Sequence, residues 1–478
     1  MKHWLTIPTA VLLLVWMFGC PAAVNAQDPQ TEAPPKPAAK AYPAVGSGDD
    51  QETDQGPVAV QPDDHPLTGF QELTVGIAPE KHSYWIPGLS YTNAIQSNAV
   101  TQTGGFNWNS TNYITGNFSL LQNWSTSQLS VNYSGGGAFS TDSAIGNGQF
   151  QRFGAVETFD WRRVKLTFVD QFAYLPQALF GFGAGTGLAT PGVGGSLASS
   201  LPGLRSDLTP QSIFTAIGPQ YANSFGTQLN YELTPRSSVT VGGVFSILRY
   251  TDPGNIESND VILSAGYNLQ VSRTNTVGMS YQFSAYEFLG SPQAMGNHVV
   301  QVAYGKKITG RLALKVAGGP EITNFRVPPG IGTNTQYISG AGSAGLSYAF
   351  SAGNVSLSFN HGTNNGSGVL LGATTDQVTG SGNVKLTRVW SGNVNLGFAR
   401  NTTVAGTNET QNQTYNTLYV GAGLQRPVGR NANFTLNYTA NIQTSNNAVC
   451  AEVNCGTNFT THIITVGLKW HARPFVIR

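Results

Sequence analysis

The sequence predicts an all-β chain that closes into a transmembrane antiparallel up-and-down β-barrel of about 18 strands, with 16 as the alternative. Three observations carry this. First, charged residues make up only 10% of the chain, aromatics another 10%, and 57 of 478 residues are glycine, whereas soluble domains carry roughly 25% charge. Second, more than a dozen stretches alternate apolar and polar residues with period two, the half-buried strand signal. Their polar positions hold Ser, Asn, Thr, Gln and Gly rather than the Lys and Glu of a soluble sandwich. Third, short turns alternate with longer loops, as in outer-membrane barrels. A mean hydropathy of −0.13 and a single long apolar run exclude a polytopic helical membrane protein, which needs repeated runs of about 20 apolar residues. Three cysteines exclude a disulfide-stapled mini-domain or a multi-zinc protein.

The N-terminus reads as export machinery. Lys2 precedes the apolar run Ile7 to Phe18, and Val24-Asn25-Ala26 offers a small-x-small cleavage site, so residues 1–26 read as a signal peptide. Cys20 after Gly19 leaves lipid attachment open as the rival processing route. Residues 27–66 hold eight prolines, eight acidic residues and only Lys36 and Lys40 as bases. Such a composition does not fold on its own, and the segment is expected to be a disordered, Pro-rich periplasmic tether. It carries net −6 and leaves +6 for residues 67–478, too little in either half to argue for nucleic acid. Residues 67–95 read as a lead-in and 96–478 as the barrel.

The strands follow from alternation. Leu129, Val131 and Tyr133 face away from Ser130 and Asn132. Val277, Met279, Tyr281 and Phe283 oppose Gly278, Ser280 and Gln282. Val355, Leu357 and Phe359 oppose Ser356 and Ser358. Trp390, Val394, Leu396 and Phe398 oppose Asn393 and Asn395, and Ile464, Val466, Leu468 and Trp470 close the chain. Seventeen strands read this way, near 113–124, 127–138, 149–161, 164–174, 221–234, 237–250, 258–272, 275–288, 297–308, 311–322, 337–350, 353–361, 375–387, 389–400, 413–427, 430–443 and 460–471. Aromatics near strand ends, such as Trp124, Trp161, Tyr348, Trp390 and Trp470, suit interfacial girdles. The short turns, most of them with an arginine as in Thr234-Pro235-Arg236 and Thr309-Gly310-Arg311, are expected at the periplasmic end. Both termini belong there too, so the count must be even, and 97–109 is the candidate for the missing first strand.

These residues resemble uncharacterised porin-like outer-membrane β-barrel proteins of Gram-negative bacteria. The likeness rests on the leader, the Pro-rich start, the segment Phe159 to Pro176 and the alternating remainder. It implies a location in the cell outer membrane, contact with its lipid, insertion by the barrel assembly machinery and a homotrimer as one option. Such barrels often end on a Phe; here the last strand reads as ending near Trp470, with Phe475 short of the C-terminus.

Four features are candidates for function. The 175–220 segment, rich in Gly, Ala, Ser and Pro, is long for an irregular loop. It is the third outside loop, which in porins folds inward. Arg152, Glu157, Asp160, Lys165 and Asp170 form a charged patch in a charge-poor chain, and Arg152, Glu157, Lys165 and Asp170 are candidates for a pore constriction. Asp170 shares parity with Leu166, Phe168 and Phe172, which demands a β-bulge or an interfacial position. Cys450 and Cys455 are expected to form a loop disulfide in an oxidising compartment. His361-Gly-Thr363-Asn-Asn-Gly366 is similar to the His-x-Ser-Asn-Gly segment of outer-membrane phospholipases, with Thr in place of the nucleophile. The other histidines show no ligand spacing, no glycine loop suits a phosphate, and neither a cofactor, a metal nor an enzymatic activity is expected. The expected function is a passive channel for small, mainly neutral polar solutes; the alternative is a plugged barrel acting as receptor, adhesin or envelope anchor.

Overall fold

A computed structural model describes residues 83–97, 108–141, 147–175, 213, 220–251, 255–326, 335–404, 413–446 and 458–477. The leader, the tether, Cys20, Cys450, Cys455 and nearly all of 175–220 lie outside the described residues.

Eighteen long strands run in chain order: β1 Ser83–Ser97, β2 Trp108–Asn123, β3 Ser127–Ser140, β4 Gly148–Asp160, β5 Val164–Leu175, β6 Gln220–Thr234, β7 Ser237–Tyr250, β8 Glu257–Gln270, β9 Asn275–Leu289, β10 Ala294–Lys307, β11 Leu312–Arg326, β12 Thr335–Phe350, β13 Gly353–Asn364, β14 Ala373–Lys385, β15 Ser391–Thr403, β16 Thr414–Pro427, β17 Ala432–Ser445 and β18 Phe459–His471. A short β19, Phe475–Ile477, follows. Each strand pairs antiparallel with its sequence neighbours, and β1 pairs with β18 from Gly88↔His471 to Gln96↔Ile463. The sheet therefore closes. Among the described residues no helix is long and apolar enough to cross a membrane; the crossing is made by strands, as backbone satisfaction in lipid requires.

The strand number agrees with the sequence, and seventeen of the strands match the expected ones to within five residues at either end. The first strand is a correction. It is β1 at Ser83–Ser97 and not 97–109, so the wall begins some dozen residues before the expected barrel start. Pro87-Gly88 hid it, since proline is foreign to a paired strand interior. The structure accommodates Pro87 at a break in its neighbour. Its carbonyl accepts the Ala472 N–H (2.9 Å), so its nitrogen faces the gap between β18 and β19, where no donor is needed. Beyond the gap β19 resumes pairing with Ser83–Trp85, and Phe475 stacks on Trp85 with ring centroids 4.4 Å apart. The chain thus continues its last strand past Trp470 after a three-residue break.

The two faces separate by chemistry. Outward positions carry the exposed Leu89, Phe245, Leu263, Met279, Val302, Leu357, Leu396 and Leu468, an apolar belt suited to hydrocarbon. Tyr91, Tyr281 and Tyr438 sit at its loop-side edge. Their hydroxyls are held by Asn112 (2.7 Å), His298 (2.8 Å) and His462 (2.9 Å). At the turn-side edge stand Trp85, Trp161, Trp390 and Trp470, with the Arg426 guanidinium 5.5 Å from the Trp390 ring centre. Inward positions carry Thr, Ser, Asn and Gln joined in cross-strand pairs, such as Thr375 to Asn401 (2.6 Å) and Thr417 to Gln443 (3.2 Å).

Six of the eight turns contain an exposed arginine. In several, a hydroxyl fixes the turn: Thr309 Oγ1 accepts the N–H groups of Arg311 (3.2 Å) and Leu312 (3.0 Å), and Thr387 Oγ1 those of Val389 (3.3 Å) and Trp390 (3.1 Å). This is the local hydrogen bonding by which Ser and Thr favour turns.

The belt makes a quantitative demand. Val302 is 59% exposed on it, opposite Met279 and Gly318. Val302→Arg is expected to cost about 2–4 kcal/mol of folding free energy in lipid vesicles, whereas Lys306→Arg, on the same face near the turns, should cost about 0–1 kcal/mol. Urea titration of vesicle-inserted protein checks both; equal costs would contradict the belt.

Candidate functional site

The site lies inside the barrel and is built mainly by residues 365–372, which overlap the singled-out His361-to-Gly366 stretch only at Asn365 and Gly366. Above the Gly342↔His361 pair, β13 leaves β12 while keeping its partner β14. The connection that follows, residues 365–372, turns into the lumen instead of outward. Its first turn, Gly366–Gly368, is left-handed, with Gly366, Ser367 and Gly368 at positive φ (76°, 57° and 76°), and Gly372 at the end of the connection is also at positive φ (89°). Only glycine takes such angles freely. Space demands it as well: a Cβ on Gly368 would strike the Tyr250 ring, and one on Gly372 would lie 2.8 Å from the Met295 sulfur. Asn side chains hold the turn: Asn364 Oδ1 accepts the Gly366 N–H (2.8 Å), and Asn365 Oδ1 accepts the Ser367 N–H (3.1 Å).

Two lumen-facing carboxylates anchor it. Glu321 on β11 is fully buried. Its Oε1 accepts from Asn297 Nδ2 (2.6 Å) and the Thr363 backbone N–H (3.0 Å), and its Oε2 accepts from Ser339 Oγ (3.1 Å). It thereby satisfies a backbone donor that β13 exposes on leaving β12. Asp260 on β8, 1% exposed, accepts from Asn365 Nδ2 (2.9 Å), which also reaches Ser258 Oγ (3.2 Å). The Ile256 N–H donates to the Gly368 carbonyl (2.7 Å). Both oxygens of Glu321 accept in this way, which is what makes a buried carboxylate tolerable.

Apolar contacts complete the bridge. Leu371 packs against a cluster of Tyr286, Phe288, Met295, Phe325 and Val404. Val369 and Leu370 join Ala373, Tyr415 and Ile213. The segment therefore runs from β13–β14 across to β7–β9 and touches β16 as well. Ile213 belongs to the 175–220 loop and is 1% exposed. At that residue the long loop meets the 365–372 bridge.

The lumen wall changes character along its length. On β14, Ala373, Thr375 and Gln377 are buried, Thr379 is half-buried, and Ser381 and Lys385 are exposed. On β11, Phe325, Thr323 and Glu321 are buried while Lys315 and Ala313 are not. On these two strands the inward side chains are thus buried in the loop-side half and more exposed toward the turns.

The charged residues expected at a constriction divide between the two faces. Arg152, 8% exposed, and Lys165 point inward, Lys165 directly across from Asp160 beside a turn. Glu157 and Asp170 point outward, Glu157 opposite Leu129 and Phe168, Asp170 opposite Ala155 and Phe225. The β4–β5 and β5–β6 registers are uninterrupted, so no bulge turns Asp170 inward; Asn223 Nδ2 donates to its Oδ1 (3.0 Å) instead. The four residues do not form one site, and the lumen can use only Arg152 and Lys165. Cys450 and Cys455 lie outside the described residues.

His361 lies on the outer face. Its Nδ1 is 2.6 Å from Asp376 Oδ1, and Arg400 stands across from Asp376 on β15. Thr363, the residue at the position of a hydrolase nucleophile, has its hydroxyl buried without a hydrogen-bond partner. The His361-to-Gly366 stretch instead forms the entrance to the inward turn. Among the described residues no group of three or more His, Cys, Asp or Glu side chains is arranged to hold a metal.

The bridge had a sequence signal. Val369-Leu370-Leu371 is an apolar triplet inside a Gly- and Asn-rich connection; a loop bathed in water has no use for it.

No protein-family model matches the chain, and no curated protein matches its sequence. Solved structures show a barrel likeness. OccAB3 of Acinetobacter baumannii is 11% identical, with 81% of this chain and 99% of that one covered, at a TM-score of 0.40. The outer membrane protein opdK of Pseudomonas aeruginosa is 10% identical, with 81% and 99% covered, at 0.39. OccK2 (OpdF) of Pseudomonas aeruginosa, solved with glucuronate, is 10% identical, with 82% and 98% covered, at 0.41.

Glu321 gives the test of this site. In a chain with Cys450 and Cys455 replaced by serine, Ser367→Cys is expected to resist a water-soluble maleimide. Adding Glu321→Ala removes three hydrogen bonds to a charged acceptor, each worth about 1.5–3 kcal/mol, and should speed labelling at least about tenfold. Equal labelling rates would show that the carboxylate does not hold the bridge.

Proposed function

We propose that this protein is an outer-membrane channel for passive diffusion of small, mainly neutral polar solutes, narrowed by the 365–372 bridge. The observation that carries the reading is the inward bridge itself. A structural barrel has no need of a buried-carboxylate anchor that places a short loop across its lumen, whereas a channel needs a defined neck. The expected periplasmic placement of the short turns and the apolar outer belt support the outer membrane as its location.

The wall chemistry supports the solute class. Inward residues on β15–β18 are Asn393, Asn395, Asn401, Thr417, Asn437, Gln443 and Thr465, which offer donors and acceptors but no net charge. Inward fixed charge comes from Arg152, Asp260 and Glu321 on the wall and from Asp160, Lys165, Glu232, Lys307, Lys315, Lys385 and Lys469 near the turn end. In this reading Arg152 and Lys165 act as weak electrostatic filters and the neck discriminates by size and hydrogen bonding.

One observation favours a second reading. Ile213, Leu370, Ala373 and Tyr415 form an apolar contact inside the lumen, and a dry cluster there suits a plugged barrel that serves as a receptor, adhesin or envelope anchor. Swelling of liposomes that contain the refolded protein separates the two. The channel predicts swelling in neutral sugars, slower as sugar size rises. No swelling from a correctly folded barrel would overturn the channel and favour the plug.

A further inference from the structure

Charge is distributed unevenly between the two ends of the barrel. The turn end carries seven exposed arginines in its turns and Arg473 after β18, together with Lys165, Lys306, Lys307, Lys315, Lys385 and Lys469 on the adjoining wall. Among the described residues, Glu157, Asp160 and Glu232 stand there as acids; Glu257, Asp260, Glu287, Glu321 and Asp376 all lie toward the loop end. A cationic rim of this density sets up a potential that draws anions to the mouth.

The chain supplies its own counter-charge. Residues 49–80 contain eight acids, Asp49, Asp50, Glu52, Asp54, Asp63, Asp64, Glu72 and Glu80, and no lysine or arginine. That stretch enters the wall at Ser83, the first residue of β1, which stands at the same rim. We infer that residues 49–80 dock on the cationic rim of their own barrel.

Reach permits it. The 19 residues from Asp64 to Ser83 span up to about 60 Å when extended. Eighteen tilted strands with about 4.8 Å between neighbours make a barrel roughly 35 Å across, so the acids reach every turn. Covalent attachment holds the segment at a high effective concentration beside the rim, so an external polyanion would have to compete with it. The contact is ionic and solvent-exposed, and salt must weaken it. Its consequence is to mask the rim lysines, which lowers the pull of the mouth on anionic solutes. The docking itself does not depend on whether the barrel conducts.

Zero-length carbodiimide coupling of the full chain in detergent micelles tests this without a transport readout. At low salt, isopeptide bonds are expected between acids of 49–80 and Lys165, Lys306, Lys307, Lys385 or Lys469, falling several-fold in 0.5 M salt. The cross-strand pair Asp160–Lys165 serves as the internal control. A D49N/D50N/E52Q/D54N/D63N/D64N variant leaves the barrel wall untouched and should lose the bonds those six positions make. Formation of the Asp160–Lys165 bond with none from 49–80 to the rim would overturn the inference. So would bonds found only between chains in a mixture of isotope-labelled and unlabelled protein, which would make a second copy the occupant.

Discussion

Everything in this structure depends on the closure of β1 on β18. In hydrocarbon an unpaired backbone N–H or C=O has no water to turn to and costs several kcal/mol, so an open edge of nine residues would outweigh the stability of an ordinary domain. The nine Cα pairs from Gly88↔His471 to Gln96↔Ile463 remove that edge. The loop-side end of the seam is finished by a side chain: Ser97 Oγ accepts the His462 N–H (2.9 Å). Closure also explains the position of Pro87, which is compatible with a continuous wall only where β18 breaks before β19. The same constraint dictates chemistry, since a closed wall has one face for lipid and one for the lumen, and period two sorts the residues between them.

Among the described residues, the chain turns from its ladder into the lumen at 365–372, the neck of the proposed channel. When β13 parts from β12, Thr363 presents a backbone donor that the sheet no longer satisfies. Glu321 takes it. That carboxylate is buried, and its neighbours Asn297 and Ser339 fill its remaining capacity, so the network is satisfied as a unit and rigid for that reason. From the far side of the lumen Asp260 accepts from the Asn365 side-chain amide. The left-handed turn at Gly366–Gly368 lets the bridge lie flat against Tyr250, where any larger residue would collide. Strain at Ser367, the one described non-glycine residue at positive φ, is held in place by these surroundings, as strained residues at functional sites tend to be.

The barrel was legible in the sequence because its signal is repeated. A strand such as Val355 to Phe359 or Ile464 to Trp470 announces its two faces alone, and seventeen of them leave one architecture. The first strand was not legible, because Pro87 and Gly88 interrupt its alternation and the gap that accepts them lies almost 400 residues away in sequence. The site was mostly illegible for a related reason. Parity did place Asp170 on the outer face, and the uninterrupted β4–β6 registers keep it there. The bridge, however, depends on Glu321, Asp260 and residues 365–372, which come together only through closure. Neither Glu321 nor Asp260 belongs to a charge cluster in the sequence. The conspicuous cluster, Arg152 to Asp170, was conspicuous by proximity along the chain, and proximity on adjacent strands sends alternate residues to opposite faces.

The central claim is that residues 365–372 set the width of the lumen. Single-channel conductance in a planar bilayer tests it most directly, with the full chain compared against a variant in which those eight residues are replaced by an Asn-Gly hairpin joining β13 to β14, a turn suited to adjacent antiparallel strands. Stable steps are expected from the full chain, and larger, equally stable steps from the variant. Identical conductance in the two, with both folded, would contradict it and place the neck elsewhere.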